Sequence, residues 1–224
     1  MKVKIDSTTK IYPNVQIGEG TEICEYSIIG KPYRPVNGKY DLSPNTTWIG
    51  ENCYIGSFVI VGQGSCILEN SILEDYTQIE SDVKIGSSSH LLYAAWICNE
   101  VTIGDDCIIG GFVCERARVG NGSRIFGQLT HSQHDPTKSW DSNVEPAPSV
   151  SDNVFIGFGA KVIGGITIGN NSYVCAGAIV TRDVPDYKIA YGINKITSHS
   201  KWKGTLSRSS QFVRREDGRK PARN

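Results

Sequence analysis

The chain has 224 residues, with 23 Lys and Arg against 23 Asp and Glu, so its formal net charge is zero. That length points to one domain, and no apolar stretch reaches the length of a membrane-spanning helix. The start, MKVKIDSTTK, lacks the apolar core of a secretory signal, and the seven cysteines form no Cys-x-x-Cys pair. Free thiols used as small packing residues in a reducing compartment are the expectation, with a cytoplasmic location.

Taken in chain order, the first elements repeat every six residues. Ile5, Ile11, Ile17, Ile23 and Ile29 open the pattern, and Ile49, Ile55, Val61, Ile67, Leu73, Ile79, Ile85, Leu91, Ile97, Ile103 and Ile109 continue it without a miss. Val150, Ile156, Val162, Ile168, Val174 and Val180 close it. Six is neither the helical period nor the alternation of an exposed strand, so the chain is an internal repeat. Glycine often follows the aliphatic residue, as at Gly18, Gly50, Gly56 and Gly86, where it is expected to let the backbone turn. The fourth residue on is small or β-branched, as at Thr21, Ser27, Cys53 and Ala95, and fits inside a tight corner. Each hexad thus reads as a short extended segment plus a turn, and three close one triangular coil. Neighbouring coils bury the face that one coil cannot bury alone.

Three places break the period. Residues 31–48, KPYRPVNGKYDLSPNTTW, should form a surface loop. Glu115–Arg118 (ERAR) adds four residues before Val119 and reads as a corner bulge, and its arginines are either a solvated corner or a phosphate contact. After Ile125 the phase calls for an aliphatic residue at 131 and finds His131. The segment 131–149, HSQHDPTKSWDSNVEPAPS, follows it. A long loop in a compact repeat is commonly functional. Imidazole can take up and return a proton near neutral pH, so His131, with His134 three residues on, is a candidate base and Asp135 a candidate orienting group. Asp135 and Trp140 in this insert and Tyr33 in the first are candidate acceptor contacts.

The residues 183–224 carry ten Lys and Arg against four Asp and Glu. A basic tail can meet an anion, but it lacks the interleaved aromatics that stack bases, so no nucleic-acid partner and no membrane partner are expected.

The uninterrupted hexads resemble those of the hexapeptide-repeat proteins. The segment Val154–Gly192, VFIGFGAKVIGGITIGNNSYVCAGAIVTRDVPDYKIAYG, resembles the last coils of the hexapeptide acyltransferases, among them the galactoside, maltose, streptogramin and chloramphenicol acetyltransferases. The resemblance implies an all-β fold, a left-handed parallel β-helix of about eight coils over 1–185, with inserted loops at 31–48 and 131–149 and a basic extension over 186–224. It implies an acetyl-CoA-dependent O- or N-acetyltransferase acting on a sugar-like acceptor, with no metal required. By the same resemblance His131 falls at the place of the general base, with His134 as the alternative. Coenzyme A would meet Phe158, Gly159, Ala160, Ala176, Gly177, Thr181, Arg182 and Lys195. The family's Gly-Asn-Pro-Ala-Lys is replaced here by Gly192-Ile193-Asn194-Lys195, which leaves the turn at that point open. The resemblance also implies a homotrimer with sites between subunits. A γ-type carbonic anhydrase with three histidines on zinc and a non-catalytic scaffold are the competing functions.

Overall fold

The structure, a computed structural model, describes residues 2–32, 45–133, 137 and 145–202. Strands of two to four residues stack into three sheets of eleven, nine and eight strands. Together they make a left-handed parallel β-helix of about nine turns, one more than the hexad count suggests. On the first face Ile55, Leu73, Leu91 and Ile109 stand in register, 18 residues apart, which is three hexads per turn. The second and third faces repeat this with Val61, Ile79 and Ile97, and with Ile67, Ile85 and Ile103. These aliphatic ladders are the core, and Ile55, Leu73, Ile79 and Leu91 have no exposed surface. Ile5 and Ile11 point the same way but remain 43 % and 38 % exposed, because only one neighbouring rung covers them.

The small residues at the inward corners also carry a hydrogen-bond relay. Thr21 Oγ1 accepts from the Cys53 amide at 3.0 Å and donates to the Gly50 carbonyl at 2.7 Å. Ser27 does the same between Val59 N and Gly56 O. The hydroxyl therefore satisfies backbone groups that a corner would otherwise strand without partners. Cys53 and Cys107 occupy this position with thiols, and Cys107 Sγ lies 3.1 Å from the Gly120 carbonyl. All seven cysteines are free. Burial pushes the thiols of Cys98, Cys107 and Cys114 up, Cys107 to about 11 and Cys114 to about 12. Since the thiolate is the nucleophile, iodoacetamide at about pH 8 is expected to spare these three in the native protein and to modify them only in denaturant. Mass spectrometry showing them alkylated first would contradict this packing.

At Gly18, Gly50, Gly56 and Gly86 the glycine after the aliphatic residue has a different job from the turn assigned to it above, whereas Gly30, with φ 74°, does take the left-handed backbone. At Gly50 a Cβ would lie 2.5 Å from the amide nitrogen of Glu69 on the next coil, so the glycine permits close stacking of coils. The left-handed backbone falls two residues later, for example at Asn52 with φ 54°.

The break at 115–118 is also relocated. Val113, not residue 115, is the buried second-face residue after Ile109, paired with Ile97. The corner between the first and second faces is therefore two residues short, at Gly110–Gly111, and residues 114–117 form an ordinary turn before the third-face strand Arg118–Val119. The next coil repeats the device, with Leu129 following Ile125 through Phe126–Gly127. Added side chains would run into backbone there: a Cβ on Gly111 meets the Gly127 carbonyl oxygen, and one on Gly127 meets that of Ala160.

The stack continues beyond residue 185. Lys188–Tyr191 pairs in parallel with Tyr173–Val174, burying Ile189 and Ala190, and Lys195–Ser198 folds back antiparallel to it. No helix among the described residues is long and apolar enough to cross a membrane.

Candidate active site

The second shortened corner changes the meaning of His131. Leu129, fully buried and in register with Val113 and Val162, already fills the inward place of its rung. His131 thus replaces no core aliphatic residue. It stands just past the strand Gln128–Thr130, half-buried, where the second face turns toward the third. Its Nδ1 lies 3.4 Å from the carbonyl oxygen of Pro146. A carbonyl can only accept, so this contact is made with the proton on Nδ1, which leaves Nε2 as the basic nitrogen.

The two ends of the inserted segment meet around this ring. Ser132 Oγ donates to Glu145 Oε2 at 3.1 Å. The rung above makes room with consecutive glycines: a Cβ on Gly165 would strike the Pro146 side chain, and one on Gly164 would come within 3.3 Å of Ser132. The Gly164 amide donates to the Thr130 carbonyl at 2.8 Å, fixing the rung spacing beside the histidine. His134, Asp135, Trp140 and Tyr33 lie outside the described residues.

The eight positions assigned to coenzyme A divide into two groups and one exception. Thr181 and Arg182 follow the second-face residue Val180 and so occupy the same corner as His131, two rungs on, which is about 10 Å at the usual strand spacing. Asn194 joins them: its Oδ1 accepts from Thr181 N at 2.8 Å, its Nδ2 donates to Thr181 Oγ1 at 2.8 Å, and its carbonyl accepts from Arg182 Nη2. Lys195 is exposed beside it. Asn194 is not among the residues assigned from the resemblance; it is left-handed (φ 53°), as is Gly192 two residues before it (φ 53°), and together they make the turn in the absence of a proline.

Phe158, Gly159, Ala176 and Gly177 gather at the other end of the second face, on the corner with the first. Phe158 is 68 % exposed and stacks on Phe126 with ring centroids 4.6 Å apart. Gly177 N donates to Phe158 O at 2.9 Å, and nothing lies within 4 Å of a Cβ built on Gly159 or Gly177. This open, apolar corner can receive a flexible chain against backbone. Ala160 is the exception. It is fully buried at the inward corner position, with its amide bonded to Gly157 O and its carbonyl to Gln128 N. It packs the core and offers nothing to a cofactor.

The remaining histidines are dispersed. His90 lies on the first face with Nε2 2.7 Å from Glu74 Oε1, and His199 is in the short 3-10 turn near the end of the stack. Burial first, and Lys188 second, hold the His199 imidazole below its ordinary pKa. No three metal-binding side chains converge among the described residues.

Residues 147–182 match the family described as bacterial transferase hexapeptide (six repeats). Bifunctional protein GlmU of Thermoanaerobacter pseudethanolicus is 28 % identical over 248 aligned positions, covering 89 % of this chain and 50 % of that protein. GlmU of Geotalea uraniireducens is 28 % identical over 214 positions, covering 90 % and 40 %. The chain thus spans half the length, or less, of these curated relatives. Among solved structures, the UDP-N-acetylglucosamine acyltransferase from Campylobacter jejuni superposes with a TM-score of 0.51 at 17 % identity, covering 87 % of this chain and 73 % of that one. That likeness is one of fold.

Proposed function

We propose that this hexapeptide-repeat chain is an acyl-CoA-dependent acyltransferase that uses acetyl-CoA and a sugar-like acceptor, with His131 as its general base. The observation that carries this reading is the His131 corner: a ring held through Nδ1 against the Pro146 carbonyl, with Nε2 left basic, on the same edge as Thr181 and Arg182. The match of residues 147–182 to a transferase family supports it. So does the name of the structural relative, an acyltransferase of a nucleotide-linked amino sugar.

In the reaction, His131 Nε2 takes the proton of the acceptor hydroxyl or neutral amine as that oxygen or nitrogen attacks the thioester carbonyl. The carbon–sulfur bond breaks, and the thiol of coenzyme A leaves with a proton returned from the imidazolium. Phe158, Gly159, Ala176 and Gly177 would border the pantetheine, where the absence of side chains lets it approach backbone. Arg182 and Lys195 supply positive charge for the phosphates. We place the working site between subunits of a homotrimer in the cytoplasm, in keeping with a prism-shaped repeat and seven free thiols. Among the described residues no observation favours the zinc reading or the scaffold reading.

Incubation with acetyl-CoA and a panel of amino sugars, hydroxy sugars and nucleotide sugars is expected to release free thiol with at least one acceptor. Absence of both thiol release and coenzyme A binding would refute the reading.

A further inference from the structure

A second chemical feature is bordered by residues 145–149. Arg116, Arg118, Glu145, Pro146, Ala147 and Ser149 line a cleft of about 440 Å³, a volume in the range of small-molecule sites. Arg118 projects from the third face between Thr102 and Ser149, and its amide donates to the Pro148 carbonyl at 3.2 Å. Arg116 occupies the left-handed turn position of its rung, with φ 59°. On the two rungs below, the same position holds Asp82 and Glu100. This column changes from acidic to basic at the rung beneath the segment's base, where a solvated corner would need no such change.

We infer that Arg116 and Arg118 bind an anionic group of the acceptor, a phosphate or a carboxylate, and so restrict the substrate to charged sugars. The inference rests on the acyltransferase reading for the word acceptor, but the anion site stands on its own geometry. Two arginines and one glutamate line the cleft, so cationic side chains outnumber the carboxylate there, and planar guanidinium forks match phosphate and carboxylate oxygens in pairs. Glu145 accepts from Ser132. Pro146 links the two regions, since it lines the cleft and its carbonyl receives His131 Nδ1 at 3.4 Å. An anion held there anchors one end of a ligand whose other end reaches the histidine. The arginines are positioning residues, not catalytic ones.

Calorimetric titration with uridine diphosphate, uridine, N-acetylneuraminic acid and its methyl ester tests this directly. At least one anion is expected to bind while its neutral counterpart does not, and the one that binds identifies phosphate or carboxylate as the recognised group. Arg118→Gln and Arg116→Gln are expected to weaken that binding about tenfold or more. Arg118→Lys should restore part of it, and coenzyme A affinity should stay within about twofold of the parent. Binding of neither anion, or equal binding by the glutamine variants, overturns the proposal. So does a parallel fall in coenzyme A affinity, which would give the arginines to the cofactor. If the variants lose the anion yet the wild type releases no thiol with any acceptor, the anion site survives and the acyltransferase reading fails.

Discussion

His131→Ala is expected to lower the rate of acetyl transfer by about 10²–10⁴-fold, the usual contribution of general-base assistance. The loss should fall on kcat, with coenzyme A affinity unchanged, because the ring lies two rungs from Thr181 and Arg182 and contacts Pro146. His131→Asn should be as damaging as alanine, since an amide keeps a donor for the Pro146 carbonyl but offers no basic nitrogen. Steady-state kinetics with calorimetry on the same samples separates the two effects. A variant with full turnover would pass the role of base to another group or support a scaffold without catalysis. Parallel losses of turnover and thermal stability would instead mark a structural histidine.

The second large effect concerns the register of the rung that carries this histidine. Leu129→Ala is expected to destabilise the protein by about 2–5 kcal/mol, as for other fully buried leucines. Leu129 lies within an unbroken ladder between Val113 and Val162, where neighbouring rungs cannot close on the void without shifting their own hydrogen bonds. His131→Leu should move stability by only about 0.5 kcal/mol, since that position is not part of the ladder. Urea denaturation of both variants decides the matter. If His131→Leu were strongly stabilising and Leu129→Ala harmless, residue 131 would be the inward position and the short corner at Phe126–Gly127 would be wrong.

These two residues mark how far the sequence can be read. Hexad counting found the ladders correctly wherever each corner has its full length, as between Ile49 and Ile109, because every side of the prism then uses six residues. It failed at Ile109–Val113 and Ile125–Leu129, where Gly110–Gly111 and then Phe126–Gly127 let a corner close with two residues fewer. A four-residue step followed by a six-residue step looks the same in sequence as a step of six followed by an insertion of four. Only the pairing of Val113 with Ile97 distinguishes them. The count therefore named His131 as a candidate through a missing isoleucine that was never missing. Its standing now comes from the Pro146 contact and from its place on the corner.

The residues assigned to coenzyme A were legible to a similar degree. The segment Val154–Gly192 identified the last coils, but similarity along the chain does not say which side chains face inward. Ala160 looked the same as Ala176 in that comparison. The structure buries the first and exposes the second, because one stands four residues after a ladder residue and the other two. The small inward position was itself visible in the repeat, so the pattern contained the means of excluding Ala160.

By itself, the sequence determined the class of fold, three sides to a coil and the identity of the ladders wherever the corners have full length. It could do so because a period of six is a local property, repeated until chance is excluded. The tertiary structure alone decided which corners are short, that Asn194 ties Thr181 to Arg182, and that Arg116 and Arg118 share a cleft with the base of the inserted segment. Those facts depend on residues of different rungs lying a strand spacing apart, and stacking along the helix axis creates that proximity between positions separated in the chain by a full turn or an insert.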